Sequence, residues 1–383
     1  MPDAIELLRG ILTEAVKTKK DLATAKAEIV RLNKLIKPTV PVTPPVTVPP
    51  VTAPTAGNIT LHGRKLYRPN GTEIIARGPE KTIADLDDVA NIDAMAATGA
   101  NAVRMLLTID AANGRTPADF DNIIARAVSH GMIVWVSLYT WNDGANNAIT
   151  PALGGGNFYA LNGGTREQPA NCYLGMWQRQ WLKDLMHKHR ANVIIDAAQE
   201  YKGPSSNITA EQEAWAASAE RAIKFFRAEG YTQPLEIMAN WQGRDLSGIV
   251  RLGERIIKAD SVLVNGQPQT MFGWQAYWDT SDNPTWYPKS QGELLLGKGQ
   301  SITAAEAMEK FVAKATFPIQ MGFDNNEADM NRTWKVSIDT AARLGLTWLW
   351  WSWRNGTIES FTDGAVARDY VLNSANGFKG AVK

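Results

Sequence analysis

Val193-Ile194-Ile195-Asp196-Ala197-Ala198-Gln199-Glu200 decides how the rest of the chain is read. A short apolar run, too brief for a typical helix, ends at a carboxylate and passes into Tyr201-Lys202-Gly203-Pro204. The pattern predicts a buried strand whose last residue emerges into a loop. In a parallel α/β barrel, functional groups sit at the C-terminal ends of strands, where a rigid backbone meets solvent. Glu200 occupies such a place, although taken by itself it also fits a residue that opens a solvated turn.

Outward from that strand the same rhythm repeats. Candidate strands at 74–77, 102–107, 133–139, 193–198, 235–239, 271–276, 318–322 and 347–352 alternate with helical patterns at 83–97, 118–130, 172–189, 210–229, 246–258, 303–315, 327–344 and 365–374. Thr116-Pro117-Ala118-Asp119 and Ser301-Ile302-Thr303 supply helix starts. This alternation predicts an α/β fold, a (β/α)8 TIM barrel. A doubly wound open sheet is the alternative, but the chain has no Gly-rich dinucleotide or phosphate loop. Residues 59–66, Pro69-Asn70-Gly71 and 72–76 predict a small hairpin leading into the first strand. Two long segments, 142–170 and 279–299, follow the third and sixth strands and are expected to shape a groove at the strand ends.

Ahead of the barrel stand two different segments. In 4–36, Leu8, Ile11, Ala15, Thr18, Leu22, Ala25, Ile29, Leu32 and Ile36 recur in alternating steps of three and four. That heptad seam predicts a coiled-coil helix over 1–37 that self-associates as a trimer or dimer; an amphipathic helix lying on another protein is the alternative. Seven prolines between 38 and 57 predict an extended Pro/Thr-rich linker, excluding helix and sheet. At ~3.1 Å per residue it would span roughly 60 Å. The globular domain is expected over 58–383.

Composition narrows the function classes. A formal charge of +1 over 383 residues gives no reason to expect nucleic acid or an anionic membrane as partner. Cys172 is the single cysteine, so no internal disulfide or multi-cysteine metal site forms. His62, His130, His187 and His189 lack metal-ligand spacing, and neither metal nor cofactor is expected. No run approaches the roughly 18 apolar residues of a membrane span, and Met1-Pro2-Asp3-Ala4-Ile5-Glu6 does not resemble a signal peptide. The expectation is synthesis in the cytoplasm.

Polar and aromatic residues cluster where the predicted strands end. Glu80 follows the first strand and Arg104 lies within the second. Tyr139, Trp141, Asn142 and Asp143 close the third, Gln199 and Glu200 the fourth, and Asn240 and Trp241 the fifth. Gln275, Tyr277 and Trp278 close the sixth, Asp324 and Asn325 the seventh, and Trp351 and Trp353 the eighth. Such a rim suits a sugar chain: pyranose CH faces stack on indole, and hydroxyls bond to amides and carboxylates. Hydrolysis of a glycosidic bond needs two carboxyl groups, one of them protonated. Trp135, Trp181 and Trp215 are expected in the core, and Trp241, Trp278 and Trp353 along the groove.

Several fragments in barrel order carry a family resemblance. They are Gly63-Arg64-Lys65-Leu66-Tyr67-Arg68-Pro69-Asn70-Gly71 with Arg77-Gly78, Gly99-Ala100-Asn101-Ala102-Val103-Arg104, the 193–200 strand, and Trp348-Leu349-Trp350-Trp351-Ser352-Trp353. From about residue 59 to 355 the chain resembles a family-five glycoside hydrolase of the cellulase and β-mannanase kind. The resemblance implies a retaining TIM-barrel enzyme, with Glu200 as general acid and an Arg104 that supports the nucleophile. Gln199 and Tyr277 would orient the substrate.

The departures are specific. Gln199-Glu200-Tyr201 stands where the family has Asn-Glu-Pro, Gln275-Ala276-Tyr277 where it has His-x-Tyr, and Ser137-Leu138-Tyr139-Thr140 lacks the third-strand His. The nucleophile strand reads Gly322-Phe323-Asp324-Asn325 rather than Gly-Glu. A regular strand is expected to aim Phe323 inward and turn Asp324 away, unless a bulge after Gly322 restores the aim. Glu80 and Asp143 are alternative second carboxylates. Two functions follow: a glycosidase acting on a β-linked polysaccharide, or a non-catalytic carbohydrate-binding barrel. The order helix, spacer, barrel suits a bacteriophage virion fibre or depolymerase, in contact with other virion proteins and acting outside the cell.

Overall fold

The computed structural model describes residues 51–52, 57–82, 89–108, 116–139, 174–197, 208–240, 243–276, 303–324, 334–354, 357–358 and 365–381. All belong to the second of the chain's two units, Pro50–Lys383. The expected helix over 1–37 lies outside these residues, as does the 38–57 segment apart from Val51, Thr52 and Gly57.

Eight parallel strands close on themselves. In chain order they are β1 (Arg77–Thr82), β2 (Ala102–Thr108), β3 (Ile133–Tyr139), β4 (Val193–Asp196), β5 (Leu235–Met238), β6 (Thr270–Gln275), β7 (Ile319–Asp324) and β8 (Thr347–Trp351). Each pairs with the next, and β8 returns to β1 through Trp348 opposite Arg77. Closure excludes the doubly wound sheet. Around the barrel lie α1 (Val89–Ala97), α2 (Pro117–Ser129), α3 (Leu174–Trp177), α4 (Gln180–Lys188), α5 (Ile208–Ala228), α6 (Leu246–Ile257), α7 (Ala304–Lys314), α8 (Trp334–Arg343) and α9 (Ala365–Asn373).

Seven strands fall where the sequence predicts them; the first does not. Expected at 74–77, it runs Arg77–Thr82. Glu73–Ile74 instead completes an antiparallel sheet with Thr60–His62 and Lys65–Tyr67, Ile74 facing Leu66. Gly78 and Pro79 hid β1, because both residue types are poor in strand interiors. The glycine is required there: a Cβ would sit 1.7 Å from the Ala102 carbonyl oxygen on β2. A second correction concerns the proline-rich segment. Val51–Thr52, two β-forming residues between prolines, pair in parallel with Val262–Leu263, so sheet is not excluded at that edge.

Local signals set the helix starts. Thr116 and Thr303 each form a capping box, with Asp119 and Glu306 respectively, satisfying backbone N–H groups that the first helical turn leaves unpaired. Asp245 caps α6 by accepting from the Gly248 N–H at 2.9 Å. Outward-facing strand residues such as Val103, Val136, Ile195, Phe272 and Trp348 pack under the helices in the main core. The alternate residues fill the barrel. At its N-terminal end Ala102, Ile133, Ile194, Met271 and Leu349 meet Ile59, Leu61, Leu66 and Ile74 from the hairpin sheet, an apolar plug. Among the described residues no helix is long and apolar enough to cross a membrane.

Candidate active site

Above the plug the barrel interior changes character. Side chains alternate along a strand, so the inward set that begins with Ala102 and Ile133 continues with Arg104 on β2 and Trp135 and Ser137 on β3. Asp196, Glu236, Gln320 and Glu80 come from β4, β5, β7 and β1. All four, with Arg104 and Ser137, are fully buried. Arg104 is the hub. One guanidinium nitrogen donates to Glu80 Oε1 at 3.2 Å; the other donates to Glu236 Oε1 and, at 2.6 Å, to Gln320 Oε1. The same nitrogen lies 3.8 Å from Asp196 Oδ2. Ser137 Oγ donates to Asp196 Oδ2 at 2.7 Å, and the Trp135 indole N–H to Glu236 Oε2 at 2.8 Å. Gly273 on β6 leaves the room: a Cβ there would lie 2.5 Å from Glu236 Oε1.

One cation thus faces three carboxyl groups away from water. Burial is the largest influence on Glu236 and pushes its carboxyl up to about 8. Arg104 and the Trp135 N–H oppose the shift, while Asp196 and Glu80 add to it by repulsion. Such a cluster holds the floor of the strand-end face in one arrangement, because removing Arg104 would leave its buried carboxyl partners uncompensated. Beyond the end of β5, Asn240 is fully buried, and among the described residues neither atom of its amide finds a partner. An amide in that condition costs about 1–3 kcal/mol per unsatisfied group, a cost typical of residues kept for something other than stability. The Gln320 amide nitrogen is likewise without a partner.

The predicted site residues divide as follows. Arg104 is at the hub. Asp324 ends β7, where Gln320 faces the hub while Phe323 packs in the outer core against the Trp348 ring. Phe323 therefore has the outward parity, opposite to Gln320, and β7 keeps an unbroken register with β8 through to Asp324. This corrects the expectation that Phe323 takes the inward position. The misreading came from anchoring the alternation on the family motif instead of on this strand's own buried polar residue. Register carries the level around the barrel: Asp324 pairs with Trp351, Trp351 with Glu80, and Glu80 with Arg104. Trp351 is half-buried at the end of β8, and the peptide to Ser352 is cis. Gln275 is buried at the end of β6, its side chain against Gly243.

Two expectations are corrected by burial. Glu80 is inside β1 and ion-paired, not on the rim, because the strand begins three residues later than predicted. Trp353 is 2 % exposed, its N–H on Asn91 Oδ1 of α1 at 3.3 Å, and belongs to the core instead of the groove. Trp135 and Trp215 are buried as expected, and Trp181 stacks on Phe120. Tyr139 ends β3. Trp141, Asn142, Asp143, Gln199, Glu200, Trp241, Tyr277 and Trp278 lie outside the described residues, as do the segments 142–170 and 279–299. Among the described residues no group of His, Cys, Asp and Glu is arranged to hold a metal ion.

Asp196, Glu236 and Gln320 were missed as members of the site. The signal was present: each is a lone polar residue within an apolar strand, in Val-Ile-Ile-Asp, Leu-Glu-Ile-Met and Ile-Gln-Met-Gly. A charge in the middle of a fully buried strand needs a partner across the barrel, and Arg104 was the available cation.

No protein-family model and no curated protein sequence matches the chain. Solved structures do. The catalytic domain of a mannanase from Streptomyces sp. SirexAA-E aligns at TM-score 0.59 and 20% identity, over 87% of this chain and 95% of its own. A β-mannanase from Thermomonospora fusca aligns at 0.61 and 19%, over 86% and 98%. A β-mannanase from Streptomyces thermolilacinus, solved with mannohexaose, aligns at 0.59 and 19%, over 85% and 96%. At these identities the similarity establishes the fold: the chain is a (β/α)8 barrel built like those of β-mannanases.

Proposed function

We propose that the protein is a glycoside hydrolase that cleaves a β-linked polysaccharide, a mannan, a glucan or a bacterial surface polysaccharide, at the C-terminal mouth of the barrel. The observation that carries this reading is the position of Asp324. It ends β7 with its backbone in register with Trp351, which pairs with Glu80 beside Arg104. Glu200, four residues beyond the end of β4, is the proposed general acid, protonating the leaving oxygen. Asp324 is the proposed second carboxylate, acting as nucleophile or as base toward water. Arg104 positions the floor beneath it, and Trp351, Tyr139, Trp141, Gln199, Trp241, Gln275, Tyr277 and Trp278 are the proposed sugar contacts. Barrels of this build in solved structures include β-mannanases with mannotriose and mannohexaose bound, which supports beginning with mannan.

One observation favours the second reading, a carbohydrate-binding barrel without catalysis: the β7 end carries Phe323-Asp324, an Asp one methylene shorter than the Glu of the family pattern. We also propose, from segment order alone, that residues 4–36 self-associate and that the protein serves on a virion, acting outside the cell. Reducing-end release from β-mannan, β-glucan and bacterial exopolysaccharides separates hydrolysis from binding, and NMR of the first-formed anomer reports the mechanism. A retaining outcome is expected for carboxyl groups about 5 Å apart, an inverting one for ~6.5–9.5 Å. Binding of a glycan without release of reducing ends identifies the binding barrel instead.

A further inference from the structure

Glu236 has no part in the chemistry proposed above, yet it is fully buried within the barrel. Asp196 on β4 and Glu236 on β5 are direct register partners, on strands that run about 4.8 Å apart. Both side chains point into the same layer, since both reach the Arg104 guanidinium. Like charges placed side by side on neighbouring strands repel, and burial removes the water that would screen them. The described groups facing the pair are Arg104 from β2, Glu80 from β1, Ser137 and Trp135 from β3, and Gln320 from β7. Gly273 faces it from β6. Among the described residues, with every carboxyl ionised, three negative charges would face the one positive charge of Arg104.

We propose that Asp196 and Glu236 share one proton at neutral pH and act as a positioning pair that keeps Arg104 aligned beneath the strand-end face. A shared proton removes one of the surplus charges and lets one carboxyl donate to its neighbour. Pairs of this kind titrate jointly, the second proton loss being delayed. The upward shift of Glu236 to about 8 agrees with this direction. The unfolded chain releases that proton near pH 4.3, whereas the folded protein keeps it to about 8. Between those values the unfolded state binds fewer protons, so the pair stabilises the fold fully at low pH and loses that contribution as pH rises through the folded value. The alignment role rests on the hydrolase reading; the shared proton does not.

The test compares wild type, Glu236→Gln and Asp196→Asn. In thermal melts from pH 5 to pH 9, the Tm of wild type is expected to fall relative to Glu236→Gln by at least about 3 °C as pH rises. A gap that is constant, or that widens in favour of wild type, overturns the shared proton, because it means that an ionised Glu236 pairs with Arg104. Should the variants fail to fold, carboxyl 13C titration of glutamate-labelled wild type decides: one resonance still changing above pH 7 supports the proposal, and complete titration below pH 6 overturns it. For the alignment role, the alkaline limb of kcat/KM on a hydrolysed glycan is expected to move upward in Glu236→Gln by about one pH unit. An unmoved limb with the melts as expected removes the alignment role alone. Absence of hydrolysis in wild type removes the hydrolase reading and leaves the melts to judge the proton.

Discussion

The two ends of the barrel interior are made by the same strands and obey opposite rules. At the N-terminal end Ala102, Ile133, Ile194 and Leu349 meet a hairpin that supplies Leu61 and Leu66, a buried apolar cluster. One layer further along, the same strands contribute Arg104, Asp196, Glu236, Gln320 and Glu80, all without exposure to solvent. The apolar end gains free energy from burial, at roughly 25 cal/mol per Å². The polar end works against it, since desolvating charges costs more than most ion pairs return. Burial without a stability gain is the mark of a layer maintained for what lies above it. The barrel is a stable base that carries a costly floor.

Substitutions at the two ends should separate these roles, and the largest effect is expected at the hub. Arg104→Met leaves three carboxyl groups with no cation and is expected to destabilise the fold by about 3–5 kcal/mol, measured by denaturant unfolding. If it costs less than 1 kcal/mol, the ion cluster is not what the floor depends on. Next comes the plug: Leu66→Ala at 2 % exposure should cost about 2–5 kcal/mol through lost burial and a cavity. That loss should be the same at pH 5 and pH 9, since the cluster Leu66 packs in is made of apolar side chains. Trp135→Phe keeps an aromatic ring in the layer but loses part of the indole and the N–H donated to Glu236; about 1.5–3 kcal/mol is expected in the same assay. The smallest stability effect is expected at Asn240. Asn240→Ala relieves its unsatisfied amide but opens a cavity, so the two offset and stability should change by less than about 1 kcal/mol, while glycan turnover or affinity falls. A large loss of stability with intact turnover would move Asn240 out of the site.

Much of this was legible in the sequence, for identifiable reasons. Apolar runs bounded by turn residues placed seven strands, and Thr116-Pro117-Ala118-Asp119 and Ser301-Ile302-Thr303 placed the starts of α2 and α7. β1 was shifted because Gly78 and Pro79 have low strand propensity and are needed for close contact, which propensity does not register. The outward parity of Phe323 followed from Gln320, a polar residue whose purpose is visible only once Arg104 is seen across the barrel. The three-carboxylate cluster was hidden because its members are far apart in sequence: 24 residues separate Glu80 from Arg104, and 132 separate Arg104 from Glu236. Register, which brings them level, is a property of the closed barrel. Trp353 illustrates the reverse error, since an indole near a strand end reads the same whether it faces substrate or, as here, Asn91 of α1.

The most direct measurement is the initial rate of reducing-end release from the best glycan substrate by wild type and by Glu200→Gln, alongside the affinity of each for that glycan. A general acid at the mouth predicts a rate lowered by at least about 10²-fold in the variant, with affinity retained. Equal rates in the two proteins would contradict the assignment of Glu200. No turnover in either, with binding intact in both, would contradict the hydrolase.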